Sequence, residues 1–296
     1  MTWLEIKLET PQTMKDPIVN RLFELGAQGV NETDIADKAW VRVSAYFEDK
    51  AGKAAAEELP AYLASLKEIF PEEPVVKWES VAVPMENWSE TYKDFYRAQK
   101  LTHLFFLRPA WDTKTPIPEE MLPIVMEPGQ AFGTGLHPTT RLCMRRLERL
   151  ISIYPRQANI NLLDVGTGTG ILAIAAYKLG IRKITATDID PLAVTASKEN
   201  FELNDCAGIQ VSDQDLGAIG GEFHVIVSNI LLDTHIQLRA DYRRLLKPGG
   251  QLILSGVLVS QRRALCDALK EVELVNESWE ALDEWACALF THRNRI

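Results

Sequence analysis

The sequence is short of cysteine and short of positive charge, and it has no long apolar run. Its four cysteines, Cys143, Cys206, Cys266 and Cys287, stand far apart with no CxxC pair. That spacing argues against a metal site and against a disulfide scaffold, and leaves isolated reduced thiols as the expectation. No stretch of eighteen apolar residues occurs, so no membrane-spanning helix is expected. The opening MTWLEIKLET lacks the apolar segment of a signal peptide. A cytoplasmic chain with no membrane partner is therefore expected. The 32 Lys+Arg face 41 Asp+Glu, a net −9. Most of the deficit falls in residues 1–120, which hold 14 basic against 21 acidic residues. That is a poor footprint for bare DNA or RNA and a suitable one for a basic protein.

What is present reads as two halves. The first eighty residues give strand, helix, strand, strand, helix, strand. In WLEIKLE, Leu4, Ile6 and Leu8 alternate with polar residues, as in a half-buried strand. DPIVNRLFELG predicts a helix with Asp16 as N-cap, Pro17 at the first helical position and Gly26 as the stop. WVRVSAYF alternates again, AAAEELPAYLASLKEIF is helical in period with a kink expected at Pro60, and EPVVKWESVAV supplies a last strand. The order fits a small α+β, ferredoxin-like sheet. It holds no catalytic cluster, so its expected work is recognition. Residues 84–126 read as a linker, with Trp88, Tyr92, Phe95 and Tyr96 on one helical stripe followed by prolines.

From about residue 155 strands and helices alternate. INLLDVG is an almost continuous apolar run, as a strand covered on both faces requires. GILAIAAYKLG, KITATDID, DPLAVTASKENFELN (Asp190 as N-cap), GIQVSD, HVIVSNI, THIQLRADYRRLLKPGG and QLILSGV continue the pattern. EVELVNESW and EWACALFTH close it as a hairpin. This predicts a doubly wound α/β sheet with one antiparallel edge.

DVGTGTG puts Gly166, Gly168 and Gly170 between the first strand and its helix, where backbone approaches a ligand and free N–H groups point outward. A dinucleotide fingerprint would need a glycine at 171, which is Ile171, and no Gly-Lys-Ser/Thr follows. Asp164 leads the glycines. Asp188 ends the second strand, where a carboxylate accepts ribose hydroxyls, and Asn229 ends the fourth. Each alone has an ordinary reading as a cap or turn former. Together they resemble class I S-adenosylmethionine-dependent methyltransferases, whose cofactor has one ribose and no pyrophosphate. MEPGQAFGTGLHPTTRLC, LLDVGTGTGILAIAAYKLG, ATDIDPLAV and VSNIL, with ENWSETYKDFY and FFLRPAW upstream, resemble more closely the methyltransferase family acting on large-subunit ribosomal protein eleven.

The resemblance implies a Rossmann-like class I methyltransferase domain over 127–296, the linker over 84–126 and a recognition domain over 1–83. It implies S-adenosyl-L-methionine as cofactor, bound by Thr140, Gly166, Gly168, Asp188 and Asn229. The implied products are methylated lysine side chains, and a methylated N-terminal amine, on ribosomal protein eleven. A monomer is expected. Two segments depart from the family's pattern: Leu136 in FGTG-x-H and LLDTH after Ile230, both on the acceptor side. A nucleophilic amine must be neutral. That costs about 4.6 kcal/mol for lysine at pH 7 and about 1 kcal/mol for an N-terminal amine. A neutral acceptor, the Asn229 amide oxygen or the Ile230 carbonyl, then suits the catalytic position better than a carboxylate. Phe132, Gly133, Thr134 and Gly135 read as a lid, and His137 as a structural loop histidine rather than a proton relay. Nucleic-acid methyltransferases acting on exocyclic amines carry Asn-Pro-Pro-Tyr where this chain has Asn229-Ile230-Leu231-Leu232, with no ring to stack on a flipped base. A small-molecule methyltransferase and a non-catalytic cofactor-binding module are the other readings.

Overall fold

Alternation along two strands builds the first core. In β1 (Trp3–Pro11) Ile6 and Leu8, and in β3 (Trp40–Glu48) Val41, Val43, Ala45 and Phe47, are buried on one face. With β2 (Gly29–Ile35) and β4 (Lys77–Val83) these strands form an antiparallel sheet of order β2-β3-β1-β4. Helices α1 (Gln12–Glu24) and α2 (Asp49–Ile69) contribute Met14, Ile18, Leu22, Ala55, Leu59 and Leu66 to the same core. This is the ferredoxin-like arrangement. The computed structural model describes residues 3–27, 29–35, 39–74, 76–83, 96–127, 135–153 and 159–292. The chain divides into two units, Met1–Tyr96 and Arg97–Ile296.

Two local expectations need correction. Helix α1 starts at Gln12, one turn before the expected N-cap, so Asp16 is an exposed mid-helix residue and Pro17 lies inside. The i, i+4, i+8 burial of Met14, Ile18 and Leu22 outweighs a cap and one missing hydrogen bond. The Tyr62 hydroxyl also donates to the Pro17 carbonyl at 2.9 Å, tying the two helices together. Helix α2 runs through Pro60 over 21 residues. Finally, much of the segment read as linker belongs to the second unit. There β5 (Gln99–Lys100), β6 (Phe105–Pro109) and β7 (Leu122–Met126) form a three-stranded sheet. Phe105, Leu107, Ile124 and Met126 are fully buried. Trp88, Tyr92 and Phe95 of the aromatic stripe lie outside the described residues.

The second unit is a seven-stranded sheet flanked by helices. In chain order its elements are α3 (Pro138–Ile153), β8 (Asn161–Val165), α4 (Ile171–Lys178), β9 (Lys183–Thr187), α5 (Pro191–Leu203) and β10 (Ile209–Ser212). Then follow β11 (Phe223–Asn229), α6 (Leu232–Leu245), β12 (Leu246–Leu258), α7 (Arg262–Lys270), β13 (Leu274–Leu282) and β14 (Trp285–His292). The strand order is β10-β9-β8-β11-β12-β14-β13, parallel through β12 and antiparallel at β14 and β13. Burial follows the pattern read from sequence: Leu162, Leu163, Ile226, Val227, Leu252 and Leu254 are inaccessible. Asp190 caps α5, accepting from the Leu192 N–H at 2.9 Å. Helix α7 has no counterpart in the sequence reading. It buries Leu265, Ala268 and Leu269 without a capping side chain to announce it. The strand order reverses beside β8, whose neighbours are β9 and β11. Doubly wound sheets bind ligands at the carboxyl edge of that point.

Candidate active site

The register of the central strands brings the site together. Val165 pairs with Ser228 across β8 and β11, Val165 with Thr187 across β8 and β9, and Asn229 with Ser255 across β11 and β12. The residues that follow, Gly166, Asp188, Ile230 and Gly256, therefore emerge at one edge. They border a cavity of about 640 Å³, lined also by His137, Thr139, Gly168, Ile189, Gln214, Asp215, Leu231 and Trp285.

The glycine loop and Asp188 lock together. The Gly168 N–H donates to Asp188 Oδ2 at 2.9 Å, and the Asp190 N–H to Oδ1 at 3.1 Å. Each carboxylate oxygen keeps a further acceptor site, which suits a pair of vicinal hydroxyls. The start of the upstream loop is tied to this structure. Asn200 on α5 accepts from the Glu127 N–H at 2.9 Å and donates to the Thr169 carbonyl at 3.0 Å.

Asn229 and Ile230 also border the cavity. The Asn229 side-chain nitrogen donates to the Thr140 hydroxyl at 3.3 Å. Its Oδ1 is buried and has no hydrogen-bond partner. An unsatisfied buried acceptor costs about 1–3 kcal/mol, so it marks a place where a donor belongs. Ile230 is held between two glycines. A Cβ on Gly166 (φ +71°) would lie 2.5 Å from Ile230 Cγ2. One on Gly256 (φ +84°) would lie 2.2 Å from the Ile230 carbonyl oxygen. Neither position admits a side chain while Ile230 stays where it is.

The sequence profile described as "Ribosomal protein L11 methyltransferase (PrmA)" matches residues 2–293. The chain belongs to the ribosomal protein L11 methyltransferase family. Relatives carrying that description include one from Geobacter metallireducens, 34% identical, and one from Listeria innocua, 33% identical. Each alignment covers 98% of both chains. A solved ribosomal protein L11 methylase from Lactobacillus delbrueckii subsp. bulgaricus superposes with a TM-score of 0.62 at 32% identity, covering 67% of this chain and all of that one.

In this member of the family, Gly166, Gly168, Asp188, Asn229 and Ile230 all border the cavity, whereas Thr140 is hydrogen-bonded to Asn229 and is not among the lining residues. Of the four residues read as a lid, Phe132, Gly133 and Thr134 lie outside the described residues. Gly135 sits against Ile171 and Leu101. His137 places Nδ1 2.7 Å from the Thr139 hydroxyl and its ring edge against Trp285, centroids 4.8 Å apart. Burial lowers its pKa, and the nearby Glu284 carboxylate offsets part of that. The reading missed Ile189, Gln214, Asp215 and Trp285. Ile189 and Asp215 had a signal, since they follow strand ends at the same edge as Asp188. Trp285 had none, because only tertiary pairing of β14 with β12 brings it there.

Asp164 lies beneath the loop, inaccessible to solvent, and accepts from the Thr167 hydroxyl at 2.7 Å. Burial pushes its pKa up to about 7, the Thr167 hydroxyl and Ala173 N–H pull it down, and Asp188 adds a smaller upward push. The folded pKa exceeds the unfolded value, so the folded chain holds the extra proton between about pH 4 and pH 7. Stability from this group is full below that window, falls as pH rises through it and is flat above. The Asp164→Asn variant removes the titration. Its melting temperature relative to the parent is expected to rise from pH 4 to pH 7 and then level off. An offset independent of pH across that range would refute the assignment.

Proposed function

We propose that this chain transfers methyl groups from S-adenosyl-L-methionine to lysine side-chain amines, and to the N-terminal amine, of ribosomal protein L11. The observation that carries this reading is the unpaired Asn229 Oδ1. Asn229 borders the same cavity as an Asp188 carboxylate whose free acceptor sites suit a ribose. The donor set fits the cofactor. Gly166 and Gly168 offer close backbone approach, Asp188 the hydroxyl acceptor, and the acidic surroundings of Asp188 and Asp215 favour a cationic ligand.

The cofactor supplies a methyl group made electrophilic by a sulfonium. With the cofactor bound, a neutral amine would take that methyl group through its lone pair, leaving the thioether behind and losing its proton to solvent. Asn229 Oδ1 and the Ile230 carbonyl accept amine N–H and aim the lone pair. As neutral acceptors they do this without raising the amine pKa as a carboxylate would. Positioning is then the main contribution, with closure against water the second. Residues 1–83 serve as the recognition domain, whose acidic balance suits a basic substrate. The working form is a cytoplasmic monomer. Among the described residues no helix is long and apolar enough to cross a membrane.

The test is intact-mass analysis of purified ribosomal protein L11 after incubation with the full chain and cofactor. Mass is expected to rise in steps of one methylene, located by peptide mapping to lysines and the N-terminus. An unchanged mass, with cofactor binding intact, would overturn the substrate assignment in favour of a binding module or another acceptor.

A further inference from the structure

Below the acceptor pair runs a chain of buried polar groups that the reaction itself does not use. His235, one turn into α6, is wholly buried. Its Nε2 is 2.8 Å from the Ser255 carbonyl oxygen, so that nitrogen carries the hydrogen. The same carbonyl accepts the Ile230 N–H at 3.2 Å. Both lone pairs of Ser255 O are therefore used, one by the catalytic segment and one by the imidazole.

On its other side, His235 Nδ1, an acceptor in this tautomer, is 3.1 Å from the Tyr242 hydroxyl, whose single hydrogen goes either to that nitrogen or to Ser228 Oγ at 3.2 Å and not to both at once. Ser228 donates to the Val165 carbonyl at 3.0 Å. Tyr242, Ser228 and Ser255 are all inaccessible to solvent. The chain thus touches the end of β8, from which the glycine loop springs, the end of β11, which carries Asn229, and β12 beside Gly256. Glycines on either side of Ile230 restrict sideways movement but leave the peptide free to slide along the strand or turn about it. The hydrogen bonds to Ser255 oppose those motions.

We infer that His235 is a positioning residue for methyl transfer, fixing the Ile230 peptide and the adjoining Asn229 through the Ser255 carbonyl, with the Tyr242 hydroxyl against its other ring nitrogen. The inference rests on the reading of Asn229 and Ile230 as the acceptor pair. Burial drives the His235 pKa down to about 4 against the opposing pull of the Ser255 and Ile230 carbonyls, so the ring is neutral at working pH and acts through its N–H, not through charge.

The test uses the full chain, S-adenosylmethionine and ribosomal protein L11, with the variants His235→Leu, His235→Gln, Tyr242→Phe and Asn229→Ala. Displacing a reacting group by about 1 Å costs on the order of a hundredfold, so His235→Leu is expected to lower kcat by about thirtyfold. Cofactor affinity by calorimetry is expected to stay within about twofold, and the Ile230 amide to exchange hydrogen faster. Glutamine restores a donor toward Ser255 and is expected to recover most of kcat. Tyr242→Phe keeps the ring and breaks the chain beyond it, with an expected loss of about threefold. Unchanged kcat in His235→Leu, a parallel loss of cofactor affinity, or no rescue by glutamine each overturns the inference. If His235→Leu does not fold, the glutamine and Tyr242→Phe variants decide it: normal kcat in Tyr242→Phe with slow glutamine turnover is the overturning result. Asn229→Ala separates the two levels. Inactive Asn229→Ala beside fully active His235→Leu defeats only the positioning role, whereas fully active Asn229→Ala defeats the acceptor-pair reading and the inference with it.

Discussion

Replacing Gly256 by alanine is expected to reduce turnover by more than about a hundredfold. The added Cβ would lie 2.2, 2.8 and 2.9 Å from the oxygen, carbon and nitrogen of the Ile230 peptide. All three are backbone atoms, so no rotamer change relieves the overlap and the acceptor segment itself must move. Alanine also meets a left-handed backbone at φ +84°, costing roughly 1–2 kcal/mol. Overpacking adds about 1–3 kcal/mol. A folded but less stable enzyme, with cofactor affinity better preserved than kcat, is the expected result. Thermal melting, calorimetry and single-turnover rates check it together. Turnover within about tenfold of the parent would show that the Ile230 peptide has more room, or less influence on reaction, than the geometry indicates.

Asp188→Ala is expected to weaken cofactor binding by roughly a hundredfold or more. Two charge-assisted hydrogen bonds to ribose hydroxyls are each worth about 1.5–3 kcal/mol. The loss has a second source. The Gly168 and Asp190 N–H groups, now held at 2.9 and 3.1 Å, lose their acceptor, and the loop loses its anchor to β9. Asparagine keeps one acceptor oxygen and is expected to fall between the two. Calorimetric titration with cofactor tells these apart, and equal affinity for parent and alanine variant would remove Asp188 from the ribose site.

The large features of the second unit were legible because each is written in local chemistry. Strands buried on both faces appear as unbroken apolar runs, Asp190-Pro191 starts a helix, and glycines crowd where backbone turns toward a ligand. Where tertiary contacts compete with local signals, the local signals lose. Asp16-Pro17 has the grammar of a helix start, yet Met14 is drawn into the core a turn earlier. Pro123 reads as punctuation of a connector, yet it lies in a strand of a small parallel pair. That pair is secured by Asn204, which accepts from the Val125 N–H at 2.9 Å and donates to the Val125 carbonyl at 2.5 Å. In the site, Gly166, Asp188 and Asn229 were legible because strand ends collect at one edge of a doubly wound sheet. His235 and Tyr242 were harder. Their spacing of two helical turns predicts a shared face but gives no hint that the face is buried or that serines from two other strands meet it.

The placement of β14 between β12 and β13 also bears on how the molecule comes into being. The cavity draws on residues from His137 to Trp285, and Trp285 reaches it only after the terminal hairpin has inserted beside β12. Contacts this distant along the chain form late, because the loops that close them are long. A nascent polypeptide that has already paired β8 through β12 still lacks one wall of its cavity.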